Sequence, residues 1–164
     1  MRIELATLTL SVLVLASCSA PAPAAAPAEA FNPEDPAVTA TLDSMVALAR
    51  DGANAADADR ALAALNAVED FTFMSGKLIL TGKEHILGAF RDTYAQVHRQ
   101  AYAPIGHKVQ LIAPDVAIYS ALGRGSFQDK DGNVSDPVHI GASMVFMRRD
   151  GVWRAVHLHQ TVQP

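Results

Sequence analysis

Val38, Leu42, Met45 and Ala49 fall at i, i+4, i+7 and i+11, one apolar stripe of an amphipathic helix. Asn32-Pro33 reads as its N-cap followed by proline at the first helical position. Glu34 and Asp35 suit the positive end of its dipole, and Asp51-Gly52 is the expected stop. A shorter helix follows Asp57, with Leu62, Leu65 and Val68 inward. Residues 71–74 alternate as a strand, Ser75-Gly76-Lys77 turns the chain, and residues 78–80 return. Thr81-Gly82-Lys83-Glu84 matches a capping box with Thr81 as the cap. Ile86, Leu87, Phe90, Tyr94 and Val97 then make a third amphipathic helix.

After Pro104 the period drops from 3.6 to 2. Residues 109–112 form a strand, Ala113-Pro114-Asp115 a turn, and residues 116–127 a long strand. Gly123 and Gly125 predict a bend or bulge in that strand. Residues 129–133 carry an Asp-Gly hairpin signal between it and a strand over 139–147. Arg149-Asp150-Gly151 turns into a last strand over 152–162. Helices first and an antiparallel meander afterwards define an α+β fold, three N-terminal helices covering one face of a curved antiparallel sheet. Such a sheet wrapped on a helix leaves a cone with an open mouth.

The N-terminal residues lie outside this scheme. Residues 5–16 read LATLTLSVLVLA. As a helix that run rises only about 18 Å, too short to span a bilayer and right for a signal-peptide core. Leu15-Ala16-Ser17-Cys18 follows, and Cys18 is the only cysteine among 164 residues. The quartet resembles the bacterial lipobox. This implies a signal peptide over 1–17, lipidation of Cys18 and stable attachment to a membrane. Ser19 after the cysteine, rather than aspartate, implies the outer membrane facing the periplasm rather than the inner membrane. Residues 18–31 are a Pro/Ala-rich tether of extended polyproline character, spanning up to about 40 Å. The domain proper is expected over 32–164.

Composition narrows the function classes. Half of the chain is hydrophobic, 18% is charged and the formal net charge is −4. That charge argues against a nucleic-acid binder, which usually carries a basic face. One cysteine excludes an internal disulfide framework and a cysteine-based zinc finger.

Residues 144–159, reading MVFMRRDGVWRAVHLH, resemble the end of the NTF2-like superfamily. They are especially similar to its SnoaL-like and DUF4440 branch, and to the association (hub) domain of calcium/calmodulin-dependent kinase. The shared features are a strand, an Arg-Arg-Asp-Gly turn, then Trp-x-x-Val-His-x-His. The order of helices and strands agrees over about residues 33–163. The resemblance implies the cone-shaped NTF2-like fold, and a family that includes ketosteroid isomerase-like enzymes, cyclases, dehydratases, ligand binders and oligomerising domains. Fold alone therefore does not give function.

Strand alternation supplies the candidate residues. Trp153, His157 and His159 share one strand face. The resemblance places the matching histidines on the sheet face away from the cavity, near subunit contacts, so these three are dimer-face candidates. As metal ligands, His157 and His159 would lack a third partner apart from His139, and no metal or other cofactor is expected. The opposite parity gives Leu158 and Gln160, and the hub resemblance turns Gln160 and Met144 into the cavity. Phe146 shares the parity of Met144. Hub arginines at positions matching Met144, Gln160 and roughly Ala121 are missing here, which implies a mostly apolar cavity with Gln160 as a polar guide. Phe73 and Tyr119 are further lining candidates. Tyr94 and His98, four apart on the third helix, could make a Tyr/His pair in the cavity.

Acid–base catalysis needs a carboxylate in an apolar pocket. None of Asp115, Asp129, Asp131 or Asp136 falls on an inward strand position, and Glu69-Asp70 is the best of the remainder. Catalytic residues therefore stay unassigned. The sequence favours a lipid-anchored, homodimeric domain of the cell envelope that binds a small apolar ligand. Its alternatives are a SnoaL-like or ketosteroid isomerase-like enzyme (isomerase, dehydratase or cyclase) and an oligomerisation module.

Overall fold

The computed structural model describes residues 31–163, so the expected signal peptide, Cys18 and the expected tether up to residue 30 lie outside the described residues. Helix α1 spans Pro36–Asn54 and is capped by Asp35, whose carboxylate accepts from the Ala37 N–H at 2.8 Å. The expected cap at Asn32-Pro33 is displaced by three residues, because the same cap-then-proline pair recurs at Asp35-Pro36. The Pro33 carbonyl is used elsewhere, accepting from the Leu111 N–H at 2.9 Å.

Helix α1 also runs past its expected stop at Gly52. Gly52 is buried where α1 meets α2, Ala58–Ala64, and a Cβ there would stand 2.6 Å from the Ala61 nitrogen. The glycine serves a close crossing, not a helix end. Asp57 caps α2 by accepting from the Arg60 N–H at 2.9 Å, as the sequence suggests.

Strands β1, Thr72–Ser75, and β2, Leu78–Thr81, form the expected hairpin. The capping box is not formed. Gly82, at φ 93°, is the N-cap of α3, Lys83–Tyr94, and provides no side-chain bond. Thr81 remains in the strand opposite Thr72, and the Gly82 and Lys83 N–H groups donate to the Phe71 and Glu69 carbonyls. An Asp59–Arg91 ion pair ties α2 to α3.

The third helix ends at Tyr94, earlier than expected, and residues 97 and 98 belong to a strand. That strand, β3 (Val97–Gln100), pairs with β6 (Phe127–Asp129) in a separate two-stranded sheet. The main sheet adds β4 (Ala103–Ala113), β5 (Val116–Gly125), β7 (Val138–Arg149) and β8 (Val152–Gln163). Its order is β2-β1-β8-β7-β5-β4, antiparallel throughout except for the parallel pairing of β1 with β8. The break expected near Gly123 and Gly125 occurs at Ser126, between β5 and β6. Gly125 is required there because a Cβ would stand 2.3 Å from the Tyr102 ring.

Parity changes on β8, not on β5. Val145 pairs with His157 and Phe146 with Ala155, so Val156 is an extra, unpaired residue. This bulge puts Trp153 and Ala155 on the same face as Leu158 and Gln160. The three helices cover that face, and Leu42, Leu62, Phe71, Ile86 and Phe146 are fully buried between the layers. No helix of the described residues is long and apolar enough to cross a membrane.

Candidate functional site

Between the helices and the concave sheet face lies an open cavity of about 720 Å³ with mainly apolar walls. Phe73, Tyr94, Tyr119, Met144, Leu158 and Gln160 all line it. Phe146 does not. It is wholly buried in the core with Ala155 and Ala117, because its register pairs it with both. His98 is exposed on β3 instead of following Tyr94 on α3, so the Tyr/His pair is not formed.

The predicted face of Trp153, His157 and His159 is split by the bulge. Trp153 is 6% exposed in the core, with the Arg148 guanidinium 5.5 Å from its ring centre. His157 and His159 remain on the face turned away from the helices, opposite Val145 and Ser143. Among the described residues no three His, Cys, Asp or Glu side chains converge on a metal site.

The expectation of a cavity without an inward carboxylate is overturned by Asp43. Its carboxylate, on α1, lies 2.9 Å from the Nε2 atom of His107 on β4, and both side chains line the cavity. The buried Asp43 Oδ1 receives no well-aligned hydrogen bond from the described residues. The His107 ring stacks on Tyr119 of β5, centroids 5.1 Å apart and planes within 4°. A proton on Nε2, facing the carboxylate, leaves the lone pair on Nδ1. Each half of the pair was missed for a different reason. Strand alternation carries no signal for Asp43, which sits on a helix beside Leu42 of the buried stripe. His107 precedes the expected strand, yet it shares alternation with the buried Val109 and Leu111, which was a legible signal.

Arg50, two turns along α1 from Asp43, also lines the cavity and makes a loose 3.4 Å contact with Asp51. Burial, and then the Asp43 charge, push the Tyr119 hydroxyl up to about 12. Tyr119 thus stays a neutral donor beside the carboxylate. The shift has a consequence for stability. An unfolded tyrosine titrates near pH ~10. From there to about 12 the folded chain keeps a proton that the unfolded chain has lost, so stability falls as pH rises through that window. Alkaline unfolding followed by circular dichroism should therefore be less steep in Tyr119→Phe than in the wild type. Equal steepness would mean that Tyr119 carries no such shift.

A sheet of six strands curled over three helices, with a polar cluster inside an apolar cone, defines the NTF2-like class. A SnoaL-like domain is recognised over residues 38–163, and the chain belongs to that family. No curated protein matches the sequence. Among solved structures, an NTF2-like protein of Pseudomonas putida KT2440 is 16% identical, with a TM-score of 0.65 over 76% of this chain and 86% of that one. Hexachlorocyclohexane dehydrochlorinase LinA-type3 of Novosphingobium barchaimii LL02 is 16% identical, with a TM-score of 0.67 over 77% and 86%. The association domain of C. elegans CaMKII is 18% identical, with a TM-score of 0.59 over 76% and 95%. At these identities the likeness shows a shared fold alone.

Proposed function

We propose that the chain is a proton-transfer enzyme acting on a small, mostly hydrocarbon molecule held in the cavity. The observation that carries this reading is the Asp43 carboxylate 2.9 Å from the His107 imidazole, on the wall of an apolar cavity. His107 removes a proton from a carbon beside a carbonyl or a leaving group. Asp43 orients the ring and balances the positive charge it acquires. In an isomerisation the imidazolium returns the proton to another carbon. In an elimination the C–H electron pair becomes the new double bond, and the leaving group departs with its own bonding pair. Tyr119, neutral, donates to a developing oxyanion or leaving group. A substrate that fills the open cavity displaces water from its apolar walls and so strengthens each of these interactions. The fold is shared with a dehydrochlorinase, which adds support from outside the chain.

The test is conversion of a panel of apolar ring ketones, β-hydroxy ketones and halocarbons, followed by chromatography. Consumption of a panel member supports the enzyme. Tight binding of panel members with no conversion would favour the pure ligand-binding domain.

We also propose that Cys18 anchors the protein by lipid in a bacterial envelope, at the outer membrane, and that two copies pair. The short apolar run ending in Leu-Ala-Ser-Cys supports the first. Met74, Ile118, Val145 and the 64% exposed Ile79 support the second, lying with His157 and His159 on the sheet face away from the helices. Labelled palmitate should enter the wild type and not Cys18→Ser, and light scattering should give twice the chain mass. An unlabelled wild type or a monomer mass would refute the respective half.

A further inference from the structure

The cavity has a second polar region, built around the C-terminal end of α1. The Asn54 side chain clamps the Tyr102 backbone, accepting from its N–H at 2.7 Å and donating to its carbonyl at 3.3 Å. Gln100, only 5% exposed, donates to the Ala53 carbonyl at 2.9 Å. It accepts from the Tyr102 hydroxyl at 2.6 Å. These groups satisfy one another and join β3 and β4 to α1.

Tyr94 borders that arrangement, its hydroxyl beside the Gln100 amide, and its own O–H proton is not used within it. It lines the cavity at the end of α3, its ring centre 5.9 Å from that of Phe90. Among the described residues its hydroxyl makes no aligned hydrogen bond, and a phenylalanine would pack against Phe90 equally well. Burial pushes this hydroxyl up, with the Gln100 amide offsetting part of the effect, so it stays a neutral donor.

The spacing of the two polar regions follows from α1. Asp43 and Ala53 are ten residues apart on one helix, about 15 Å along its axis. Side chains reaching inward from both ends leave a separation on the order of 10–15 Å. The wall between them is mostly apolar.

We propose that Tyr94 forms a second binding subsite for a carbonyl or hydroxyl oxygen, at the end of the substrate remote from His107. The substrate is then an elongated, largely hydrocarbon molecule with an oxygen function at each end. The subsite rests on the reading of Asp43 and His107 as the reacting end.

The test measures binding, not turnover, on the full chain. Calorimetry compares 4,4′-dihydroxybiphenyl, with an oxygen at each end, against 4-hydroxybiphenyl. The wild type should bind the diol about five- to tenfold more tightly, the value of one neutral hydrogen bond. In Tyr94→Phe that preference should vanish, with the thermal midpoint unchanged. Equal affinities in the wild type, a preference that survives in Tyr94→Phe, or no binding of either probe would overturn the subsite. The wild-type comparison stands even if the variant folds poorly. A chain that prefers the diol but converts no panel member defeats the enzyme reading and keeps the subsite. Turnover that depends on His107 without a diol preference does the reverse.

Discussion

Replacing His107 with glutamine should lower turnover by about 10²–10⁴-fold, the usual contribution of a positioned general base. Glutamine keeps the size and hydrogen-bonding capacity of the side chain but cannot accept and hold a proton at neutral pH. The loss should fall on kcat, with KM little changed, because the apolar walls and not the imidazole supply most of the binding. Asp43→Asn should cost a similar amount. The amide fits the space but neither fixes the Nε2 proton nor balances an imidazolium. Combining the two should be no worse than either alone, since the residues act as one unit. Steady-state kinetics on the responsive panel member reads all three. Additive losses would show two separate roles. Wild-type activity in either single variant would remove the pair from the chemistry.

The second large effect concerns the scaffold. Gly52→Ala gains about 1 kcal/mol of helix propensity in isolation. In this fold the added methyl would stand 2.6 Å from the Ala61 nitrogen and 2.9 Å from its Cα. Both are backbone atoms, so no side chain can swing aside, and α2 must move. Overpacking of this kind costs about 1–3 kcal/mol and occasionally more, which outweighs the propensity gain. We expect a net loss of about 1 kcal/mol and a lower midpoint in urea and thermal unfolding. A stabilised variant would show that α1 and α2 do not cross this closely. Arg50 and Ala53 flank Gly52 on α1, so the same displacement disturbs the cavity wall.

The helices were legible because one apolar face repeats at 3.6, and Val38, Leu42 and Met45 are indeed buried together. The hairpins were legible because turn residues stand between alternating runs. The parallel pairing of β1 with β8 was not. It joins residues more than eighty apart and leaves no local signature (Thr72 opposite His157). The bulge at Val156 was hidden too, since an apolar residue tolerates either face. That single inserted residue moved Trp153 from an expected dimer face into the core. The position of His98 depended on where α3 ends, and the apolar Val97 prolonged the helical pattern beyond Tyr94. The strand side of the cavity wall could be read in part from alternation, as at Tyr119, Met144, Leu158 and Gln160. Its chemistry was half legible: the carboxylate comes from a helix, outside any strand alternation, whereas His107 shares the alternation of Val109 and Leu111.

The central claim is that His107, held by Asp43, moves a proton to or from carbon. The most direct measurement is deuterium exchange. Wild type and His107→Gln are incubated in D₂O with the ring ketones of the panel, and loss of the α-proton signal is followed by NMR. Exchange in the wild type, slowed by about 10²-fold or more in the variant, is the predicted result. Equal exchange rates in the two proteins, or a wild type that exchanges none of the ketones and converts no other panel member, would contradict it.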